Sequence, residues 1–119
     1  MSIYLTHILE HAKHPTHFGT LETVTHSCKK NNPLCGDSIE VFLEVENDTL
    51  KKISFQGQGC AISQAAMSML ADELDGKSIE YAEKFSKEDI IDMLGIELSP
   101  TRLKCAILGR DAVIDALKN

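Results

Sequence analysis

The strongest constraint on the fold is the pattern at positions 38–46, where Glu40, Glu44 and Glu46 alternate with apolar residues. Every second position is apolar, and the apolar members are Ile39, Val41, Leu43 and Val45. Successive side chains of a strand point to opposite faces, so this stretch predicts a half-buried strand. One buried and one solvated face are typical of antiparallel sheets. Asn47 and Asp48 supply a turn, and Leu50–Phe55 is predicted to pair back as the next strand.

The remaining elements follow from helix signals and from one weaker alternation. A strand with imperfect alternation is predicted at Leu21–Cys28, which makes a three-stranded meander. The predicted helices are Ile3–Lys13, Ala61–Asp75, two short helices that start at Ser78 and Ser86, and one from Ser99-Pro100 to about Lys118. The sequence therefore predicts an α+β fold. Residues 1–119 are predicted to form one domain, with helices packed on a three-stranded antiparallel sheet.

Periodicity predicts which side of each helix faces the core. In the first helix the apolar set is Ile3, Tyr4, Ile8 and Leu9. In the last helix it is Leu103, Ile107, Ile114 and Leu117. The helix at 61–75 is apolar nearly all round, which predicts a central position, with Met67 and Met69 as core filler. Its polar residues form one narrow stripe, Gln64, Ser68, Asp72 and Asp75.

Composition excludes several classes of function. The chain has 119 residues, 43% of them hydrophobic and 25% charged, as expected for a soluble globular protein. Its net charge of −6 argues against a nucleic-acid partner. No apolar run reaches membrane-spanning length, and no secretory signal accompanies the four cysteines. We therefore expect a cytoplasmic protein whose thiols are available for metal binding or chemistry.

The segment Asn32–Asp37, with the sequence NPLCGD, is the first candidate site. Asn-Pro favours an extended residue before a turn, and Gly36 permits positive φ. Cys35 and Asp37 thus place a soft and a hard metal donor two positions apart. An ordinary turn with a buried free cysteine explains these residues equally well.

Two further cysteines lie near helix starts. Cys60 enters the helix at 61–75, where the unpaired N–H groups and the helix dipole favour a thiolate. The Gly57-x-Gly59 pair lacks the third glycine of a dinucleotide loop. Cys105 lies one and a half turns into the last helix. Because no Cys-x-x-Cys pair is present, a shared site would be assembled by tertiary structure, and three unrelated cysteines are the alternative.

Three histidines near the amino terminus form another pattern. His7, His11 and His14 are spaced to share a face of the first helix. A metal patch is one interpretation, but such histidines more often form a solvated surface.

Three cysteine motifs, in order, resemble those of the IscU/SufU (NifU amino-terminal-like) iron–sulfur scaffold family. They are Asn32–Asp37, Gly57–Ser63 and Pro100–Cys105, and the similarity extends to the amino-terminal segment that contains His11, Pro15 and Gly19. The resemblance implies the α+β fold described above. It also implies that Cys35, Cys60 and Cys105 converge, with Asp37 as an exchangeable fourth ligand. Cys28 has no counterpart in these motifs and is interpreted as a strand residue.

The resemblance implies two functions. In one, the protein accepts sulfur from a cysteine desulfurase, assembles a labile [2Fe-2S] cluster and transfers it to apo iron–sulfur proteins, and Cys105 accepts the persulfide sulfur. In the other, a zinc-bound sulfurtransferase relays that sulfur without building a cluster, and Cys35 accepts it. The second motif resembles SufU proteins, while the short spacing between the second and third cysteines resembles IscU. Lys104 stands where IscU has a histidine, and Leu98–Arg102 departs from the chaperone motif of IscU.

Overall fold

The computed structural model describes residues 3–33 and 36–118. In chain order its elements are α1 (Ile3–Lys13), β1 (His26–Asn32), β2 (Asp37–Glu46), β3 (Thr49–Gln58), α2 (Ala61–Leu74), α3 (Ile79–Lys84), α4 (Lys87–Leu94) and α5 (Pro100–Leu117). The strands form one antiparallel sheet in the order β1-β2-β3. The predicted α+β fold is confirmed, whereas the domain bounds 1–119 stay a prediction.

The core lies between the inner face of the sheet and two long helices. Of the four predicted inward residues of β2, Ile39, Val41 and Leu43 have no exposed surface, whereas Val45 is half-buried. Helix α5 packs across β1 and β2, while α2 lies against β3 and α5. Helix α1 packs on α2. No helix among the described residues combines the length and apolar character needed to cross a membrane.

The first strand differs from its prediction at Leu21–Cys28. Strand β1 begins at His26 and continues to Asn32, which pairs with Asp37 of β2. Because β1 is an edge strand of mostly polar residues, hydrophobic alternation does not mark it. Strand β3 is also longer than predicted, since residues 56–58 continue the ladder instead of turning.

The helix bounds agree closely with the predictions, but two core faces do not. Of the apolar set of α1 only Ile8 is buried, and its other three members are exposed. In α5 the four predicted core residues are only half-buried. The buried positions are Cys105, Ala106, Leu108, Gly109, Ala112, Val113 and Ala116. Helix α5 contacts the sheet on one side and α2 on another, so small residues occupy its closest contacts.

Helix α2 is the predicted central helix, and nine of its 14 residues are buried. Met67 and Met69 lie in the core as predicted. Ser68 was placed in the polar stripe, but it is fully buried. The predicted caps at Ser78, Ser86 and Ser99 are confirmed, because each serine side chain accepts a hydrogen bond from a backbone N–H of its helix.

Candidate metal centre

Three of the four predicted ligands meet at one end of the sheet. Asp37, Cys60 and Cys105 each offer a donor atom, and these atoms lie within 4.8 Å of one another. Among the described residues this is the one group of histidine, cysteine and carboxylate side chains with such spacing. The fourth predicted ligand, Cys35, lies outside the described residues. The three-residue cluster Asp37, Cys60 and Cys105 is hereafter called the thiol site.

Asp37 is held in place by the hairpin between β1 and β2. It is the first residue of β2 and pairs with Asn32, the last residue of β1. Gly36 has a φ of 71° and donates its N–H to the Asn32 carbonyl oxygen over 2.9 Å. The predicted turn therefore closes the hairpin, and positive φ at its last position suits glycine. The Asp37 side chain is only 1% exposed, so its carboxylate requires partners within the protein.

Cys60 supplies those partners from the start of α2. It is the N-cap residue, with extended backbone at φ −72° and ψ 160°. Its N–H donates to Asp37 Oδ1 over 2.8 Å, and its Sγ lies 3.7 Å from Asp37 Oδ2. The carboxylate therefore binds both the backbone and the thiol of one residue.

Gly59 makes this close approach possible. Its φ is 135°, and an added Cβ would lie 2.7 Å from Asp37 Cγ and 2.8 Å from Asp37 Cα. Non-bonded carbon atoms pack at about 3.5–4.0 Å. A side chain at position 59 would therefore clash with Asp37 in its observed position.

Cys105 approaches the thiol site from the core side of α5. It is 2% exposed and is one of the buried residues of α5. Asn32 is also buried, and its side-chain amide donates to Cys105 Sγ over 3.9 Å. The hairpin thus contacts both cysteines of the site, because Asp37 binds Cys60 and Asn32 binds Cys105. The motif includes Asn32, but its spacing alone gave no reason to assign a role to this residue.

The donor set suits a metal ion or cluster. Zinc bound by sulfur at about 2.3 Å and oxygen at about 2.0 Å in tetrahedral geometry separates those donors by about 3.5 Å. The observed distance of 3.7 Å between Cys60 Sγ and Asp37 Oδ2 is close to this value. Thiolates are also the usual ligands of iron–sulfur clusters. The thiol site therefore fits either zinc or cluster iron.

Cys28 lies apart from the thiol site, on β1 opposite Val41. It is half-buried and packs against the core. Burial, together with the nearby Asp115 carboxylate, raises the pKa of its thiol, while Lys30 opposes this shift. The interpretation of Cys28 as a strand residue is confirmed.

Of the three amino-terminal histidines, His7 and His14 are exposed, as a solvated surface requires, but His11 is buried, and the described residues form no metal group that contains all three. His11 is 9% exposed, and its Nδ1 lies 2.7 Å from the Oγ of the buried Ser68. Burial and the neighbouring His7 lower the pKa of His11, although the Asp72 and Glu10 carboxylates oppose this shift.

The backbone N–H of Thr16 also donates to Ser68 Oγ, over 2.8 Å. This contact and the contact with His11 attach the amino-terminal segment to α2. Sequence spacing could not reveal them, because both cross more than 50 residues.

Known proteins resemble this chain over nearly its whole length. The family model described as "NifU-like N terminal domain" matches residues 3–119. An iron–sulfur cluster assembly scaffold protein IscU from Streptococcus pyogenes serotype M1 is 32% identical, over 98% of this chain and 83% of the relative. The zinc-dependent sulfurtransferase SufU of Bacillus subtilis (strain 168) is 33% identical, over 94% of this chain and 87% of the relative.

These alignments extend over 133 and 129 positions, which exceeds the 119 residues of this chain, so both relatives contain residues that it lacks. Among solved structures, a putative iron–sulfur cluster assembly scaffold protein for the SUF system from Fervidobacterium islandicum AW-1 superposes with a TM-score of 0.78. It is 25% identical, over 98% of this chain and 96% of that one.

Proposed function

The chain belongs to the family of NifU-like N-terminal domains, and we propose that it is an iron–sulfur cluster assembly scaffold. In this proposal it accepts sulfur from a cysteine desulfurase and assembles a labile [2Fe-2S] cluster. It then transfers the cluster to apo iron–sulfur proteins. The cluster is cargo, and the protein acts as a scaffold that catalyses no net reaction on a small substrate.

The observation that carries this proposal is the convergence of Asp37, Cys60 and Cys105 within 4.8 Å. Residues of the hairpin, the β3–α2 junction and α5 meet there although long stretches of chain separate them. We further propose that Cys35 completes the ligand set. Three thiolates and one carboxylate combine firm donors with a harder oxygen donor that cluster iron holds less tightly. This difference suits a protein that must release what it assembles.

Sulfur delivery follows thiol exchange chemistry. A thiolate of the scaffold attacks the terminal sulfur of a persulfide on the desulfurase, a new S–S bond forms, and the old one breaks. The desulfurase cysteine leaves as a thiolate, so this transfer needs no external oxidant or reductant. Reduction of the transferred sulfur to the sulfide of a cluster takes two electrons per sulfur, which an external reductant must supply. We retain Cys105 as the predicted acceptor for the scaffold. Because Cys105 is 2% exposed, acceptance there requires the thiol site to open when the partner docks.

A zinc-bound sulfur relay is the second candidate. It is supported by the 3.7 Å spacing of Cys60 Sγ and Asp37 Oδ2, which is close to that of a tetrahedral zinc, and by the similarity to a zinc-dependent sulfurtransferase. In this alternative, Cys35 leaves the metal and accepts the sulfur. The cytoplasmic location, the desulfurase and the recipient proteins remain predictions in both alternatives.

Anaerobic reconstitution distinguishes the two candidates. The protein is incubated with ferrous iron, cysteine, a cysteine desulfurase and a thiol reductant that converts persulfide sulfur to sulfide, and its iron, sulfide and zinc contents are measured before and after. A scaffold gains iron and sulfide with visible charge-transfer absorbance, and then loses them to an apo-ferredoxin. Tight zinc that iron does not replace, with faster desulfurase turnover, would refute the scaffold and support the relay.

The role of Asp37 provides a second test. Asp37→Ala should keep the thiolates and slow the decay of the cluster absorbance, because the exchangeable oxygen donor is lost. Under the zinc alternative the same variant should instead weaken zinc binding, since a tetrahedral ion loses one ligand. Asp37→Asn retains an oxygen that can accept the Cys60 N–H, and Asp92→Ala controls for the change in net charge at an exposed position. If Asp37→Ala changes neither cluster decay nor zinc affinity, Asp37 is not a ligand.

The acceptor assignment requires its own measurement. After anaerobic exposure to the loaded desulfurase, mass spectrometry of peptides locates the added sulfur in the wild type and in Cys35→Ser, Cys60→Ser and Cys105→Ser. Sulfur on Cys105, lost only in Cys105→Ser, supports the scaffold assignment, and sulfur on Cys35 supports the relay. Sulfur found mainly on Cys60 would contradict both assignments.

A further inference from the structure

A groove between α1, α2 and α4 lies outside the thiol site. Its volume is about 540 Å³, and it is open to solvent. Its lining includes the apolar residues Ile3, Tyr4, Met69 and Met93. A groove of this size accommodates a few side chains, since ligand pockets span about 300–1,000 Å³. These apolar residues and the adjoining Asp72 and Glu73 are hereafter called the methionine groove.

Helix α1 leaves apolar surface exposed at this groove. Ile3 is 80% exposed and Tyr4 is 52% exposed. The Tyr4 ring packs so closely on Gly95, at the end of α4, that an added Cβ there would lie 2.6 Å from Tyr4 Cγ. Tyr4 is therefore held in the wall of the groove, and Ile3 lines the groove beside it as a largely exposed side chain. Exposed apolar surface next to a groove marks an interaction site more often than scattered apolar residues do.

The two methionines suit a peptide-binding surface. Met69 comes from α2 and Met93 from α4, so neighbouring helices supply the apolar floor. Methionine is flexible and polarisable, and it is common at surfaces that accommodate varied apolar side chains. Because helices form all the walls, the groove offers no open sheet edge for a strand. A helix with an apolar face is the form of peptide that fits such walls.

The negative charge near the groove indicates which side chains the polar face of a bound helix would carry. Residues 72–97 contain nine carboxylates and three lysines, a net charge of −6, which equals that of the whole chain. All nine carboxylates are exposed and form the acidic surface of residues 72–97. Two of them line the groove: Asp72, which is hydrogen-bonded to Thr16 and His17, and Glu73, which accepts a hydrogen bond from Tyr81. His11 also lines the groove, but its pKa is lowered by burial, so it adds little positive charge near neutral pH.

We propose that the methionine groove binds an amphipathic helix of a partner protein, with apolar side chains seated between α1, α2 and α4 and lysine or arginine side chains facing the acidic surface of residues 72–97. The proposal does not depend on the function of the thiol site. Cys60 begins α2, while Asp72 lies 12 positions later, which is about 18 Å along a helix. A helix bound in the groove therefore leaves the thiol site accessible.

The test uses a synthetic probe and methyl NMR of the full chain. The probe is an amphipathic peptide of about 20 residues built from leucine and lysine, and a glutamate-for-lysine version serves as the comparison. Methionine methyl groups are labelled with ¹³C, and Met67, which is fully buried, is the internal reference. We expect the basic peptide to shift the Met69 and Met93 signals but not the Met67 signal, with an affinity that falls as salt increases. The acidic peptide should not bind.

Two pairs of variants assign the binding to the groove. Ile3→Asp should weaken binding at least about tenfold, whereas Leu9→Asp, on the other flank of α1, should not. Glu73→Lys should weaken it more than Glu83→Lys, which changes the net charge equally at an exposed position away from the groove. Circular dichroism verifies that each variant is folded.

Several results would overturn the proposal. Equal binding of both peptides, equal effects of the two glutamate variants, or binding without shifts at Met69 and Met93 would each show that the groove is not the site. Failure to bind at about 1 mM peptide would also overturn it. Concentration-dependent self-association that Ile3→Asp abolishes would replace it by an interface between two copies of the chain.

Discussion

Replacing Gly59 with alanine should displace Asp37 and weaken the thiol site. At a φ of 135° a residue with a side chain is strained, which costs about 1–3 kcal/mol. The new Cβ would also lie 2.8 Å from Asp37 Cα, so the carboxylate must move away from the Cys60 N–H. Loss of a buried hydrogen bond to a charged group costs about 1.5–3 kcal/mol. The free energy of unfolding should therefore fall by about 2.5–6 kcal/mol, a large share of about 5–15 kcal/mol.

Gly19 provides a matched control. Its φ is 124°, close to that of Gly59, but an added Cβ would meet no atom within 4 Å. Gly19→Ala should therefore cost only the backbone strain, about 1–3 kcal/mol. The difference between the two variants isolates the displacement of Asp37.

Urea unfolding of the two glycine variants measures the free energies, and competition with a chromophoric chelator measures zinc affinity. We expect Gly59→Ala to be less stable than Gly19→Ala by about 1.5–3 kcal/mol and to bind zinc more weakly. If the two variants agree within about 0.5 kcal/mol and bind zinc like the wild type, the close packing of Gly59 against Asp37 does not hold the site.

Three further predictions concern the metal, the remaining cysteine and the buried histidine. Removing metal with a chelator should lower the melting temperature by about 10 °C without unfolding the protein, because ligand binding stabilises only the folded state; calorimetry that shows no change after verified removal would argue against a metal at this site. Cys28→Ser should leave the bound zinc or iron unchanged in elemental analysis, since Cys28 lies outside the thiol site, and loss of metal would mean that the ligand set is wrong. As the pH falls below the ordinary histidine pKa of 6.5, the unfolded state binds a proton more readily than buried His11, so the free energy of unfolding should fall until the lower folded pKa is passed. Urea unfolding at several pH values gives the free energy of unfolding as a function of pH. Its decrease with falling pH should be smaller in His11→Gln than in the wild type, but not in His14→Gln. An equal decrease in all three proteins would refute the role of His11.

Hydrophobic alternation predicted β2 because one of its faces is buried, as Ile39, Val41 and Leu43 show. The same signal failed for β1, where an edge position requires few apolar residues. Cap residues were equally informative for the helices. Ser86 and Asp89 form the predicted reciprocal pair of hydrogen bonds, which depends only on residues three apart.

Side-chain environment was harder to predict than element type. In α5 the bulky apolar residues predicted a core face, but they are only half-buried, and Cys105, Gly109 and Ala112 are among the buried positions. Which face of a helix is buried depends on every element that surrounds it, and two layers enclose α5. His11 and Ser68 illustrate the same limit, because their contact exists only after α1 has packed on α2.

The thiol site could be anticipated only in part. Spacing identified cysteines in suitable local settings, and the resemblance to a family joined them into one site. The structure adds the two contacts that the carboxylate makes with Cys60, as well as the amide of Asn32 beside Cys105. These depend on the strand register that places Asn32 opposite Asp37, and register is a property of the assembled sheet.

The close packing of α5 on α2 affects the thiol site, because each of these helices carries one of its cysteines at or near its start. An added Cβ at Gly109 would lie 3.2 Å from Met67 Cβ, so the absence of a side chain there sets how near the two helix axes can approach. Gly109 follows Cys105 by four positions, about one helical turn, and Cys60 begins the other helix. We therefore expect the distance between the Cys60 and Cys105 sulfurs to depend on this contact between Gly109 and Met67 in the interior. One methyl group added at position 109 should therefore move α2 and α5 apart and change that distance, even though position 109 lies outside the thiol site.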